Sequence, residues 1–196
     1  MLRIGALLTL AVCAAAQGNS PSPGKSAGIA TAPVMIEVFS DFQCPGCKGF
    51  HEQTLRALFA DYVDKGKVYV IFREFPLPIH AHAKEAALWA SAAARVGKYG
   101  PVCDALFASQ GSWSVSGKVE DAACAALTPA EAKKVRTLVK EPEIAGEVQR
   151  ELDLGHAEGV TGTPTLVITR GTKHYPVSGM LNYNLLRRLL DDLLAR

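Results

Sequence analysis

The sequence has little net charge and few cysteines. Among its 196 residues, 21 lysines and arginines face 19 aspartates and glutamates, which gives a formal net charge of +2. This balance lacks the clustered basic excess of an electrostatic nucleic-acid binder, so no nucleic-acid partner is expected. Five cysteines are too few for a disulfide-stapled miniprotein. Because 48% of the residues are hydrophobic, we expect one folded, monomeric unit that could carry an insertion.

The apolar run at the N terminus is too short to span a membrane. It covers Ile4–Val12, about half of the roughly 20 residues that a spanning helix needs. Small residues follow it, which predicts a cleaved signal peptide over residues 1–16, with lipoprotein processing at Cys13 as the alternative. Residues 17–32 are mostly small and polar and predict a flexible leader.

Removal of the signal would leave an even number of cysteines. Cys13 would be lost, and Cys44, Cys47, Cys103 and Cys124 would remain. The predicted location is periplasmic or otherwise extracytoplasmic, where disulfides persist.

The pattern after residue 32 predicts an α/β fold. Val34–Ser40 and Lys67–Phe72 are short apolar runs typical of buried strands, and a helical pattern that ends at Gly66 lies between them. This order implies a parallel strand pair with a right-handed crossover. The helical pattern has its apolar face at Phe50, Leu55, Leu58, Phe59 and Tyr62.

The rest of the chain predicts a helical block followed by two strands and a final helix. Residues 81–157 carry only helical patterns, whereas Thr165–Thr169 and His174–Val177 predict strands and a final helix starts near Asn182. We therefore predict an α/β domain, residues 33–80 and 158–196, interrupted by a helical insertion at 81–157.

The motif with chemical meaning is Cys44-Pro45-Gly46-Cys47, which directly follows the first strand. Backbone N–H groups at a helix start favour a thiolate, so Cys44 should have a lowered pKa. Cys47 lies one turn later, within reach of a disulfide, and the pair suits thiol–disulfide exchange. A metal site that adds His51 and a purely structural disulfide are the alternatives.

The segments FSDFQCPGC, REFPLP and GVTGTPTLVI together resemble the DsbA-like thiol–disulfide oxidoreductases of the thioredoxin superfamily. The resemblance covers residues 33–195 and implies a thioredoxin fold interrupted by the helical insertion. It also implies a cis peptide before Pro164, beside the redox pair. The backbone of Thr163 would then pair with an extended substrate peptide.

The resemblance implies an enzyme that donates its Cys44–Cys47 disulfide to unfolded or reduced exported proteins. It also implies re-oxidation by a membrane quinone-linked partner of the DsbB or VKOR type, and no cofactor is predicted. A disulfide isomerase or reductase is the first alternative, which Thr163 favours. A short leader argues against it, because such isomerases carry an N-terminal dimerisation domain. A copper or zinc carrier that uses Cys44, Cys47 and His51 is an alternative from another class.

Two departures from the family pattern bear on the chemistry. Many relatives carry a proton-relaying glutamate six residues before the first cysteine, where this chain has Val38. The acid in this chain is Glu37, one residue earlier. Because adjacent residues of a strand point to opposite faces of the sheet, Glu37 is expected to face away from Cys47. Asp41 or a water is therefore a second candidate for the relay. The dipeptide Pro45-Gly46 lacks the histidine of the strongest oxidases, which predicts a milder oxidant.

The two remaining cysteines and two histidines lie outside the redox motif. Cys103 and Cys124 lie in two predicted helices and could form a structural disulfide worth roughly 3 kcal/mol, with two buried free cysteines as the alternative. His80 and His82 precede the helical block and are expected to be surface residues or residues at a helix start, with a metal or proton-relay role as the alternative.

Overall fold

The structure is a computed structural model that describes residues 20–196. The predicted signal peptide, residues 1–16, and its Cys13 lie outside the described residues. A five-stranded sheet forms the centre of the fold. Its strands are β1 (Ser26–Ala27), β2 (Val34–Ser40), β3 (Val68–Glu74), β4 (Thr165–Arg170) and β5 (Lys173–Ser178).

The strands lie in the order β1-β3-β2-β4-β5, in which β2 and β3 are parallel and the other neighbours antiparallel. Helix α1 is continuous and mixes α-helical Pro45–Gly49 and Arg56–Leu58 with π-helical Phe50–Leu55 and Phe59–Val63. The other helices are α2 (Ala83–Ala94), α3 (Tyr99–Ala108), α4 (Gln110–Ser116), α5 (Val119–Cys124), α6 (Pro129–Leu138), α7 (Pro142–Ala157) and α8 (Tyr183–Leu194). Within residues 20–196, every helix is too short or too polar to cross a bilayer.

The predicted strand–helix–strand unit is confirmed. β2 has its predicted bounds, β3 continues past its predicted end to Glu74, and the two strands run parallel. β2 alternates between the two faces of the sheet. Ile36 and Val38 pack with α1 and α8, whereas Phe39 packs with Val167 below α7. Since side chains alternate along a strand, the face of Phe39 is also the face of Glu37.

The middle of the chain is helical, as predicted. Residues 81–157 contain α2 to α7 and no strand. Helix α6 begins with a capping box, in which the Thr128 hydroxyl accepts from the Glu131 N–H and the Glu131 carboxylate accepts from the Thr128 N–H. The apolar sides of these helices form one core that also contains Cys44 and Cys47. The helical block therefore packs directly on the C-x-x-C motif.

Helix α7 lies on the sheet itself. A Cβ atom built on Gly155 would come 2.5 Å from the ring of Phe75 and 3.0 Å from that of Phe39. Only glycine permits this close approach of helix and sheet. The last helix of the predicted insertion therefore also covers the central sheet.

The prediction that residues 17–32 form a flexible leader is wrong for the part that the structure describes. β1 pairs with the edge of β3, and the preceding Lys25 is fully buried. The Lys25 ammonium lies 2.5 Å from a Glu151 oxygen and 3.1 Å from a Glu74 oxygen, which offsets the cost of burying its charge. Main-chain pairing and one buried lysine hold this segment, so it needs no large apolar residues.

The C-terminal predictions are confirmed. Both predicted strands are present as β4 and β5, each slightly longer than predicted, and they pair antiparallel. Helix α8 starts after Asn182, whose side chain accepts a hydrogen bond from the N–H of Asn184. Its buried leucines complete the core below α1.

Candidate active site

The C-x-x-C motif forms the turn between β2 and α1. Cys44 is the N-cap residue of α1, and Pro45 is the first helical residue. The Cys44 N–H donates to the carbonyl of Asp41 at 3.1 Å, and its own carbonyl accepts from the N–H of Lys48 at 3.2 Å. Proline suits this place because the first helical N–H has no partner within the helix. The Cys44 sulfur therefore lies where helix N–H groups favour a negative charge.

Both sulfur atoms of the motif are buried, but their pKa values shift in opposite directions. Cys44 is 8% exposed and Cys47 only 1%. A hydrogen bond from the Cys47 thiol, aided by the backbone N–H groups of Cys47 and Gly46, lowers the pKa of Cys44 to about 5. Burial, and then the neighbouring Cys44 sulfur, raise the pKa of Cys47 far above its usual range. At neutral pH Cys44 is a thiolate and Cys47 a thiol, as exchange chemistry requires.

A cis-proline loop lies over Cys44, as the resemblance implies. The Thr163–Pro164 peptide is cis. The Cys44 sulfur lies 3.3 Å from the carbonyl oxygen of Thr163. A Cβ atom on Gly46 would come 3.3 Å from Cδ of Pro164, so the glycine lets the two loops approach closely. These residues, far apart in sequence, form one surface around the Cys44 sulfur.

The structure separates the two residues predicted as proton relays. Glu37 accepts hydrogen bonds from Arg73 at 2.7 and 2.9 Å and lies on the sheet face opposite Val38. Val38 borders the same cavity as Cys47. The structure therefore does not bring Glu37 to Cys47. Asp41 contacts Cys47 through its backbone N–H, which donates to the Cys47 sulfur at 3.4 Å. Its carboxylate is instead hydrogen-bonded to Gln43, Leu77 and His80, so a relay by Asp41 stays a prediction.

Two residues hold the redox turn in a way that was not predicted from the sequence. The ring of His80 lies 2.7 Å from the Asp41 carboxylate, and the buried Gln110 amide donates to the carbonyls of Phe42 and Cys44. A signal for His80 exists in the sequence. Parallel strands end at the same edge of a sheet, so the loop after β3 had to lie beside the turn after β2. Gln110 carries no comparable local signal.

A cavity of about 500 Å³ lies behind Cys47, between α1, β2 and α3. Its wall includes His51 and Cys103 as well as aromatic residues of α1 and α3. The ring nitrogen of His51 lies 2.7 Å from the carboxylate of Asp104. Among residues 20–196, no group of three or more potential metal ligands is assembled. Nothing in the described site therefore favours the metal carrier.

The other cysteines lie in the core of the helical block. Cys103 on α3 is buried, and burial raises the pKa of its thiol well above the usual value. Cys124 at the end of α5 packs against the same core. All four cysteines of residues 20–196 are unbonded in this structure, and the Cys103–Cys124 disulfide stays a prediction.

Comparisons with known proteins agree with this geometry. A family model described as Thioredoxin matches residues 22–192. Disulfide bond formation protein D of Bacillus subtilis is 26% identical over 168 residues, which cover 78% of this chain and 73% of that protein. A Na(+)/H(+) antiporter, NhaA 3 of Salinispora tropica, is 30% identical over 146 residues, which cover 74% of this chain but span only 21% of the antiporter.

A solved structure shares the fold. The crystal structure of Wolbachia pipientis alpha-DsbA1 superposes with a TM-score of 0.73 at 23% identity, over 87% of this chain and 90% of that one. The predicted architecture, a thioredoxin fold with a helical insertion, is confirmed. Because the family match contains both the C-x-x-C turn and the cis-proline loop, the chain belongs to the thioredoxin family.

Proposed function

We propose that this chain works outside the cytoplasm as an oxidase that donates the Cys44–Cys47 disulfide to exported proteins. The observation that carries the proposal is the contrast between the two sulfurs. Cys44 is 8% exposed and has a pKa of about 5, whereas Cys47 is 1% exposed and has a raised pKa. A thiolate held in this way stabilises the reduced enzyme, and the oxidised enzyme then tends to give its disulfide away.

The exchange follows from the positions of the two sulfurs. A substrate thiolate attacks Cys44, a substrate–Cys44 disulfide forms, and the Cys44–Cys47 bond breaks. Its electron pair stays on Cys47, which takes up a proton because its pKa is high. A second substrate thiolate then attacks the substrate sulfur of the mixed disulfide. The substrate disulfide forms, and Cys44 leaves as a stable thiolate, so the substrate is oxidised by two electrons and the enzyme is reduced.

The cis-proline loop provides the place for the substrate chain. In our proposal the backbone of Thr163 pairs with an extended segment of the substrate, so that main-chain hydrogen bonds bind many sequences. Pro164 holds this backbone beside the Cys44 sulfur, where the mixed disulfide forms. Unfolded or reduced proteins are the expected substrates, because a folded chain offers no free extended segment.

A donor of disulfides needs a route to re-oxidation. We propose a membrane quinone-linked partner of the DsbB or VKOR type, and a monomeric enzyme that meets it through the surface around Cys44. The extracytoplasmic location has support from the predicted signal peptide and from the name of the Bacillus relative, a disulfide bond formation protein.

The reduction potential of the Cys44–Cys47 pair tests the proposal. After equilibration in glutathione buffers, an oxidase should give a value between about −120 and −180 mV, and we expect the milder part of this range because Gly46 adds no side-chain donor. A value near about −270 mV would instead make the chain a reductase.

An assay with reduced ribonuclease separates an oxidase from an isomerase. We expect the oxidised enzyme to form disulfides in reduced ribonuclease faster than it reshuffles scrambled ribonuclease, and the reverse order would favour the isomerase. Cys44→Ser should abolish both activities. The matched control is the Cys103→Ala/Cys124→Ala double variant, which leaves the exchanging pair in place. Peptide mapping of the untreated protein decides whether Cys103 and Cys124 are bonded.

A further inference from the structure

A buried carboxylate ties the redox turn to the loop after β3. The side chain of Asp41 has no exposed surface. Its oxygens accept from the N–H of Gln43 at 2.7 Å, from the N–H of Leu77 at 2.8 Å and from Nδ1 of His80 at 2.7 Å. A carboxylate can only accept hydrogen bonds, so Nδ1 of His80 carries a proton. Two donors belong to the main chain, and His80 contributes the side-chain donor.

The main chain of Asp41 contacts both halves of the redox pair. Its carbonyl accepts from the N–H of Cys44 at 3.1 Å, and its N–H donates to the Cys47 sulfur at 3.4 Å. The electron pair of the breaking disulfide moves onto Cys47 during exchange. A hydrogen bond to a charged sulfur is stronger than one to a neutral disulfide sulfur, so the Asp41 N–H stabilises the transition state more than the resting enzyme.

We propose that His80 is a positioning residue for this step. Its ring holds the Asp41 carboxylate, and Asp41 in turn holds its N–H against Cys47 while the disulfide opens. This inference rests on the proposed function, since it concerns the rate of the same exchange. His80 does not contact the sulfurs. Its effect is therefore expected on the step that places charge on Cys47, and not on the reactivity of Cys44 alone.

Two rates measured on the same protein separate these effects. Reaction of oxidised protein with glutathione requires Cys47 to accept the electron pair, whereas alkylation of reduced protein by iodoacetamide requires only the Cys44 thiolate. His80→Ala removes the ring, and His80→Met removes the donor but keeps most of the volume, which guards against a folding defect in the first variant. His80→Asn places an amide donor close to the position of Nδ1. His174→Ala on β5 is the control, since its ring contacts Thr169, far from the redox turn in the sheet.

We expect His80→Ala and His80→Met to react with glutathione roughly tenfold more slowly than the wild type, the size expected for one lost hydrogen bond to a charged group. Alkylation of Cys44 should stay within about twofold, and His80→Asn should restore most of the exchange rate. Unchanged exchange in both donorless variants would overturn the inference. So would an equal loss in both rates, which indicates a general loosening of the turn, or a failure of His80→Asn to restore exchange. If the wild type itself did not react with glutathione, the proposed function would fail instead.

Discussion

The lowered pKa of Cys44 makes the stability of the reduced protein depend on pH. The Cys44 thiol changes from its ordinary pKa of 9.0 in the unfolded chain to about 5 in the fold. Because the folded value is the lower one, the stabilisation grows as pH rises above about 5, and it is lost as pH falls through that value. At pH 7, two units above the folded pKa, the upper limit is about 2.7 kcal/mol. Since solvent reaches the site and screens the charge, we expect about 1–2 kcal/mol.

Urea unfolding of the reduced and oxidised protein at pH 7 and pH 4 measures this contribution. The oxidised protein has no Cys44 thiolate, so it serves as an internal reference for the other titrating groups. The free energy of unfolding of the reduced form, relative to the oxidised form, should be about 1–2 kcal/mol greater at pH 7 than at pH 4. Thiolate absorbance at 240 nm should fall over the same range, with a midpoint near pH 5.

The Cys44→Ser variant is the control for both measurements. Without the thiolate, reduced Cys44→Ser should show neither the absorbance change nor the extra stability at pH 7. A difference in unfolding free energy between reduced and oxidised wild type that stays constant from pH 4 to pH 7 would refute this prediction. A thiolate midpoint near the ordinary value would show that the Cys47 thiol and the helix N–H groups do not hold the charge.

Two further predictions concern stability, measured as the free energy of unfolding in urea. Gly155→Ala should lose about 1–3 kcal/mol, because its Cβ would come 2.5 Å from the ring of Phe75. The control is Gly111→Ala, because a Cβ atom at Gly111 meets nothing within 4 Å; this variant should gain about 0.5–1 kcal/mol. Equal effects of Gly155→Ala and Gly111→Ala would contradict the close approach of helix and sheet. Lys25→Met should lose about 3–5 kcal/mol, because it removes the buried cation that contacts Glu74 and Glu151. The control Lys65→Met removes a surface ion pair with a 3.5 Å separation and should change stability by less than about 1 kcal/mol. No loss of stability in Lys25→Met would show that other contacts hold the N-terminal segment.

The elements that could be predicted from the sequence carry their signals locally. The run Val34–Ser40 is mostly apolar and includes three β-branched residues, Val34, Ile36 and Val38, and both of its predicted ends were correct. The leucines of α8 repeat at helical spacing after the capping Asn182. The redox pair was equally clear, since two cysteines at C-x-x-C spacing after a strand can meet at a helix start without any distant residue.

The leader shows where a compositional signal misleads. Small and polar residues usually indicate a chain that cannot bury enough apolar surface to fold. Here backbone pairing with β3 and the buried Lys25 hold the segment against the sheet. The ion-pair partners of Lys25, Glu74 and Glu151, lie in elements distant in sequence. No local pattern reveals a salt bridge between residues so far apart in sequence.

The sequence by itself determined the order of strands and helices, the redox motif and the family, because periodicity and motif spacing depend on neighbours along the chain. Only the tertiary structure decided the partners of the two acids, Glu37 and Asp41. The alternation of β2 directs Glu37 towards Arg73, and the parallel pairing of β2 with β3 brings His80 to Asp41. Such contacts depend on strand register and on the packing of distant loops. A hydrophobic pattern predicts only which face of the sheet a side chain occupies, and not which distant residue it meets there.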